Sequence, residues 1–166
     1  GLMGHGIAQI AAQGGHNVIV AEADQAALDK GLSRIEKSLA KLAGKLVEKG
    51  KKSAEEAEAD SAAAYGRITG TLDRADLANC DLICEAIVEN LDVKKELFQE
   101  LGASAKESCI FASNTSSFPV AEMAAASGRP TRFVGLHFFN PVQLMRLVEV
   151  VRTDETDEEV FAAARA

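Results

Sequence analysis

The sequence predicts an α/β fold in which a doubly wound, mostly parallel sheet is covered by helices on both faces. Short apolar runs rich in β-branched residues alternate with amphipathic helical stretches along the 166 residues. A glycine-rich turn at residues 1–6 leads directly into a helix. The run DLICEAIV at 81–88 is nearly continuous in apolar residues, as expected of a strand buried on both faces. The length suits one domain spanning residues 1–166.

The first half of the chain is predicted to hold two strands separated by an inserted pair of helices. Asp24 is a plausible N-cap for the first inserted helix, which carries a leucine-rich stripe and ends at Gly50. The residues Ser53 to Glu56 form a capping-box pattern for the second. In order, the predicted elements are a helix from the glycine turn to residue 13, a strand over 17–22, helices over 24–49 and 53–65, and a strand over 67–71.

The second half of the chain is predicted to contain shorter buried strands with polar residues at their ends. Strands are expected over 81–88, 108–112, 132–137 and 147–151. Helices are expected over 91–101, from Pro119, and from Asp154 onward.

Composition and charge exclude several classes of protein. The 25 acidic residues outnumber the 18 basic ones, and a net charge of -7 argues against non-specific nucleic-acid binding. The sequence has neither a run of about eighteen apolar residues nor a signal-peptide pattern, so we expect no membrane partner. Cys80, Cys84 and Cys109 lack metal-ligand spacing and an even disulfide count. We therefore expect reduced thiols, no metal and a reducing compartment.

The glycine turn predicts a dinucleotide site. Gly1 and Gly4 match the second and third glycines of a G-x-G-x-x-G turn, which lets the backbone approach a pyrophosphate. Glu22 ends a strand about twenty residues later, where such folds place an acid on the adenine ribose. An acid at this position favours NAD over NADP. The first glycine and the strand before it are not in the sequence, so we expect the natural chain to begin earlier.

A second candidate site lies near the end of the chain. His137 follows an apolar strand, and Glu149 lies inside the apolar run LVEVV. A carboxylate in such a run is costly to bury unless it is paired, although an edge-strand acid facing water stays an alternative. Paired with His137, Glu149 would fix the imidazole tautomer and raise its basicity. The two residues together predict a general acid/base.

Five motifs make the chain resemble the N-terminal NAD-binding domain of the 3-hydroxyacyl-CoA dehydrogenase family. In chain order, they are GLMGHGIAQ (1–9), EAIVEN (85–90), SNTSS (113–117), GLHFFNP (135–141) and LVEVV (147–151). The family has a Rossmann-type fold and carries a helical insertion after its second strand. The resemblance implies reversible, NAD-dependent oxidation of a (3S)-hydroxyacyl-CoA to a 3-oxoacyl-CoA in fatty-acid metabolism.

The resemblance also implies roles for particular residues. His137 would be the general acid/base and Glu149 its orienting partner. Both Ser116 and Asn140 would hydrogen-bond the substrate and the nicotinamide half of the cofactor. The pyrophosphate would be held by Gly1, Leu2, Met3 and Gly4, and the adenine ribose by Glu22. Glu89 and Lys94 would lie near the nicotinamide half of the cofactor, although an ordinary pair at a helix start is the alternative for them. Ser38 and Lys45, on the inserted helix, would contact coenzyme A.

The expected partners follow from the same resemblance, and the expected location follows from the reduced thiols and the lack of a targeting segment. The family has a helical C-terminal domain, absent from this sequence, that covers the substrate and forms a homodimer. We expect a cytoplasmic location, with the mitochondrial matrix as the alternative.

Two other functions stay open at this point. The 3-hydroxyacid and 6-phosphogluconate dehydrogenases share a similar glycine turn, but they lack HFFNP. A non-catalytic, crystallin-like NAD-binding protein is the second alternative.

Overall fold

Helices and strands alternate along the chain, as the hydrophobic pattern predicts. A computed structural model describes residues 1–166. The strands are β1 (Val18–Ala21), β2 (Ile68–Thr71), β3 (Leu82–Glu85), β4 (Ile110–Ser113), β5 (Phe133–Phe138) and β6 (Val148–Arg152). The helices are α1 (Gly4–Gln13), α2 (Gln25–Glu48), α3 (Ala54–Gly66), α4 (Leu91–Ser104), α5 (Val120–Ala126) and α6 (Glu158–Arg165). The chain divides into a first unit, residues 1–74 with 141–144, and a second unit, residues 75–140 with 145–166.

The first unit contains α1 to α3 and a parallel sheet of β1 and β2. Its helix ends form where local chemistry predicts them. Asp24 Oδ1 accepts a hydrogen bond from the Ala27 N–H at 2.8 Å, and the capping box of Ser53 and Glu56 is complete. Gly50 ends α2 with a φ of 63°, a conformation that favours glycine. The core of this unit is formed by Ala8, Ile35, Leu39 and Ala64, with Val18, Val20, Tyr65 and Ile68 packed against them.

The second unit contains a four-stranded sheet in the order β3-β4-β5-β6. The first three strands are parallel, and β6 runs antiparallel to β5 at one edge. Side chains alternate across the sheet. Phe111 and Phe133 pack with α4 and α5 on one face, while Ala112 and Val134 pack with α6 on the other. Helices on both faces confirm the predicted α/β architecture with a mostly parallel sheet.

The predicted elements that shorten most in the structure are β3 and the last helix. β3 ends at Glu85 rather than at residue 88, because the Glu85 carboxylate accepts a hydrogen bond from the Ile87 N–H at 2.7 Å and turns the chain. The last helix begins at Glu158 rather than at residue 154. A turn precedes it, in which the Thr153 N–H donates to Thr156 Oγ1 at 2.9 Å.

The parallel strands place three loops at one edge of the four-stranded sheet. β3, β4 and β5 end on the same side, so the residues that follow them gather there. These residues are 86–90, 114–117 and 139–140.

None of the helices combines the length and hydropathy that a membrane span requires.

Replacing Gly102 in α4 with alanine is expected to destabilise the fold. An added Cβ would lie 1.9 Å from the backbone oxygen of Ser127, and a carbonyl cannot move aside as a side chain can. We expect a loss of about 1–3 kcal/mol in the free energy of unfolding, measured by urea denaturation. Gly44→Ala in α2 is the control, because nothing lies within 4 Å of its added Cβ. Gly44→Ala should raise the free energy of unfolding by about 0.5–1 kcal/mol. Equal effects of the two substitutions on this free energy would contradict the packing argument.

Candidate active site

His137 and Glu149 form a hydrogen-bonded pair across β5 and β6. The antiparallel register places the two residues directly opposite each other. His137 Nδ1 lies 2.8 Å from Glu149 Oε2. Because β6 is an edge strand, the Glu149 side chain is 55% exposed, whereas that of His137 is 20% exposed. The predicted pairing is present, and the carboxylate reaches water from the sheet edge instead of being buried.

This contact determines which imidazole nitrogen is available for chemistry. A carboxylate accepts hydrogen bonds, so Nδ1 carries the proton that is donated to Glu149. The neutral ring then has a free lone pair on Nε2, which can take a proton from a substrate. The ring of Phe139 lies beside the imidazole, with a centroid distance of 4.6 Å. The pair therefore has the arrangement that a general base requires.

Ser116 and Asn140 lie in the loops that follow β4 and β5. Both residues are exposed, Ser116 in the loop after β4 and Asn140 two residues beyond the end of β5. The parallel β4 and β5 bring these loops to the same edge of the sheet. Their roles in holding substrate and cofactor stay predictions.

A buried ion cluster lies beneath the same edge of the sheet. The Lys94 side chain is 1% exposed, and its ammonium contacts Glu85 at 2.6 Å and Glu89 at 3.0 Å. The second carboxylate oxygen of Glu85 accepts a hydrogen bond from Ser113 Oγ at 2.6 Å. Glu85 itself is fully buried. The cluster ties together β3, α4 and the end of β4.

Glu89 is the exposed member of this cluster. Its carboxylate accepts hydrogen bonds from the hydroxyls of Thr115 and Ser117. Burial acts to raise the pKa of Glu89, but the hydrogen bonds from Thr115 and Lys94 outweigh it and lower that pKa. A carboxyl whose pKa is lowered by folding stabilises the folded state above its unfolded pKa. That contribution is lost as the pH falls through the lowered value.

In the first unit, the glycine turn and Glu22 lie next to each other. Glu22 follows β1, and its Oε1 lies 2.5 Å from the Gly1 nitrogen. The N-terminus of α1 has no side-chain cap and no acidic residue in its first turn. Its N–H groups and positive dipole end therefore face no competing anion of the helix itself. An uncapped helix start beside an acid fits the pyrophosphate and ribose of NAD.

Gly6 has a packing role that the sequence analysis did not assign. An added Cβ at Gly6 would lie 2.8 Å from the Cβ of Val142. The first turn of α1 therefore approaches the segment 141–144 too closely for a larger residue. Gly6 lies two residues beyond Gly4, the last glycine matched to the motif, so the motif does not predict this contact.

Ser38 and Lys45 lie on α2. They are seven residues apart, which is close to two helical turns, and so they share a face. Lys45 lines a recess formed by three leucines, three lysines and one glutamine: Leu42, Leu46, Leu144, Lys45, Lys49, Lys51 and Gln13. An anionic ligand with apolar parts suits such a lining. Contact of these residues with coenzyme A stays a prediction.

The cysteines are poor candidates for nucleophiles. All three are free thiols. Burial raises the pKa of Cys84 to about 12 and that of Cys109 to about 11. Both thiols are therefore protonated near neutral pH, and the thiolate is the reactive form.

Two residues of this region were not singled out from the sequence. Glu85 lies within an apolar run, and the argument that a buried carboxylate needs a partner applies to it as it does to Glu149. Lys94, nine residues later, is that partner. Asn114 binds the backbone of Phe138. Nothing in the sequence indicates the contact between Asn114 and Phe138, because it depends on how β4 and β5 are aligned.

Comparison with known proteins finds close similarity in sequence. A probable 3-hydroxybutyryl-CoA dehydrogenase of Deinococcus radiodurans is 52% identical over 159 residues, covering 96% of this chain and 54% of that protein. The mitochondrial hydroxyacyl-coenzyme A dehydrogenase of Homo sapiens is 45% identical, covering 97% of this chain and 51% of that protein. The chain thus spans about half the length of these curated relatives, one bacterial and one mitochondrial.

The solved structures give the same result for the fold. The (S)-3-hydroxybutyryl-CoA dehydrogenase of Ralstonia eutropha superposes with a TM-score of 0.89 at 39% identity, covering 99% of this chain and 56% of that one. Residues 1–166 match the family described as 3-hydroxyacyl-CoA dehydrogenase, NAD binding domain. With its Rossmann-type α/β fold, glycine turn and His–Glu pair, the chain belongs to this NAD-binding family.

Proposed function

We propose that the protein carrying this chain catalyses the reversible oxidation of a (3S)-hydroxyacyl-CoA to a 3-oxoacyl-CoA with NAD, in fatty-acid metabolism. The observation that supports this most directly is the 2.8 Å contact between His137 Nδ1 and Glu149 Oε2. It leaves Nε2 as a base at the carboxyl edge of a parallel sheet, where folds of this class bind their ligands. Family membership supports the cofactor and the substrate class.

His137 is proposed to move the proton in this reaction. In the oxidative direction its Nε2 takes the hydroxyl proton of the substrate, and Glu149 stabilises the imidazolium that forms. Ser116 and Asn140 hold the reacting oxygen in line, which contributes through orientation. The chemistry that NAD would supply when bound is acceptance of a hydride from the carbon that is oxidised. In the reverse direction the imidazolium returns the proton to the oxygen of the 3-oxo group.

The cofactor is proposed to contact the glycine turn, the acid that follows β1 and the buried ion cluster. Gly1, Leu2, Met3 and Gly4 hold the pyrophosphate through backbone N–H groups at the start of α1, and Glu22 accepts hydrogen bonds from the adenine ribose. Glu89 and Lys94 lie near the nicotinamide half. Because Lys94 is buried against two carboxylates, we assign it the role of keeping Glu89 in place.

Coenzyme A is proposed to contact the face of α2 that carries Ser38 and Lys45. The lysine ammonium would bind a phosphate, and the leucines of the recess would contact the apolar parts of the ligand. We further propose that residues 1–166 act as the NAD-binding domain of a homodimeric enzyme whose contacts lie in a separate helical domain. Free cysteines suit a reducing compartment, the cytoplasm or the mitochondrial matrix.

The proposal is tested by NADH oxidation in the presence of acetoacetyl-CoA, measured on the protein that carries this chain. We expect turnover with NADH to exceed turnover with NADPH, because the Glu22 carboxylate would repel a 2′-phosphate. Glu22→Gln should weaken NADH binding by at least about tenfold, the scale of a lost charged hydrogen bond. Glu36→Gln, an exposed carboxylate on α2, is the matched control and should change nothing.

Substrate comparison completes the test. Free acetoacetate should be a much poorer substrate than its coenzyme A ester, because it lacks the groups that α2 is proposed to bind. Equal turnover of the free acid would favour the hydroxyacid dehydrogenases instead. NADH binding without turnover of either compound would favour a non-catalytic protein.

A further inference from the structure

Asn114 connects three strands at the carboxyl edge of the four-stranded sheet. It follows β4 directly, and its backbone N–H donates to the carbonyl oxygen of Glu85 in β3 at 2.9 Å. Its side-chain Oδ1 accepts a hydrogen bond from the Phe138 N–H in β5, also at 2.9 Å. The backbone of Asn114 is therefore held by one neighbouring strand while its side chain holds the other.

The contact with Phe138 replaces a backbone hydrogen bond that the strands cannot make. The pairing of β4 with β5 ends at Ser113 and Gly135. Phe138 lies three residues beyond that point, where no strand lies beside β5 on this side. The amide oxygen of Asn114 supplies the missing acceptor, and so it extends the ladder by one hydrogen bond. The last residues of β5 are thereby held on both sides.

His137 is the residue that this arrangement affects most. It immediately precedes Phe138, and on its other side it faces only β6, an edge strand. Its partner there, Glu149, is more than half exposed and so gives limited restraint by itself. The buried cluster of Glu85, Ser113 and Lys94 anchors the opposite end of this connection.

We propose that Asn114 is a positioning residue for His137, since its side chain fixes the end of β5 and with it the direction of the imidazole. It does not touch the reacting atoms itself. The effect on turnover rests on the proposed dehydrogenase function, whereas the effect on the geometry of β5 does not. A displacement of the base of about 1 Å is enough to lower a rate substantially.

The test compares Asn114→Leu with Asn114→Asp. Leucine has a similar size but no acceptor, whereas aspartate keeps an oxygen that accepts the Phe138 N–H. We expect Asn114→Leu to lower kcat roughly tenfold, with KM for acetoacetyl-CoA and the Kd for NADH within about twofold of the unchanged protein. Asn114→Asp should recover kcat to within about threefold, because the hydrogen bond is restored.

A control variant separates positioning from loss of stability. Ser127 is buried, donates to the Ala124 carbonyl at 2.6 Å and accepts from the Arg129 N–H at 3.1 Å. Ser127→Ala therefore removes side-chain-to-backbone hydrogen bonds of the same kind, away from the proposed active site. It should lower the free energy of unfolding without changing kcat. An equal fall in kcat in both variants would show that Asn114 acts only through stability, and would overturn the proposal.

An NMR measurement tests the geometry independently of activity. Hydrogen exchange of the Phe138 amide should accelerate at least about tenfold in Asn114→Leu and recover in Asn114→Asp. The ring signals of His137 should shift in the leucine variant and not in Ser127→Ala. If the unchanged protein shows no dehydrogenase activity, the proposed function fails and these signals still decide the role of Asn114. Unchanged hydrogen exchange of the Phe138 amide and unchanged ring signals of His137 in Asn114→Leu would overturn the proposed role of Asn114.

Discussion

Replacing His137 with glutamine is expected to lower kcat for acetoacetyl-CoA reduction about a hundredfold or more. Glutamine is polar and of similar length, but it can neither take up nor release a proton near neutral pH. Because His137 is not part of the glycine turn, the Kd for NADH should change little. Steady-state kinetics with a separate NADH titration measures both quantities. Unchanged turnover would exclude His137 as the general acid/base.

Changes at Glu149 test whether the pair acts as one unit. Glu149→Gln removes the carboxylate that holds the Nδ1 proton and stabilises the imidazolium, so kcat should fall here as well. The double variant should be no slower than His137→Gln alone, because Glu149 acts only through the ring. Glu158→Gln is the matched control, since Glu158 is an exposed acid whose partner is Arg152 at 2.8 Å. Additive losses in the double variant would contradict the assigned roles.

Replacing Lys94 with methionine is expected to cost about 3–5 kcal/mol in the free energy of unfolding. Methionine fills a similar volume, but it leaves the fully buried carboxylate of Glu85 without its cation. Solvent cannot compensate for the missing charge, because the Lys94 side chain is only 1% exposed. Urea denaturation near neutral pH measures the loss.

The neighbouring lysine provides the control. Lys95 is partly exposed, and its ammonium contacts Glu122 at 3.4 Å, so Lys95→Met should change the free energy of unfolding by no more than about 0.5 kcal/mol. Adding Glu85→Gln to Lys94→Met should recover part of the loss, because the uncompensated charge is then removed. Equal stability of the two single variants would show that the buried pair contributes nothing.

The order of helices and strands could be predicted from the sequence because its determinants are local. Asp24 and Ser53 cap helices with side chains that lie within three residues of the backbone groups they bind. The apolar periodicity of α2 is contained within one helix. The two elements that shorten most, β3 and α6, do so where a side chain binds nearby backbone and turns the chain.

The proposed active site could be predicted only in part. His137 and Glu149 were identified because each is chemically unusual in its own segment and each supplies what the other needs. Glu85 is also an acid in an apolar run, but its partners, Lys94 and Ser113, lie in other elements and no pattern links them to it. Asn114 lies in the motif SNTSS, where neighbouring polar residues are equally plausible ligands.

The α/β class, the glycine turn with its acid, and the residue types of the proposed base and its partner could be predicted from the sequence. These depend on residue type, on short-range hydrogen bonds and on hydrophobic period. Three contacts became visible in the tertiary structure alone. Glu149 faces His137 from an exposed edge strand, and Lys94 is buried between two carboxylates. Asn114 completes the hydrogen bonding of β5. Strand register and burial depend on contacts between residues that are distant in the chain, and no local pattern in the sequence contains those contacts.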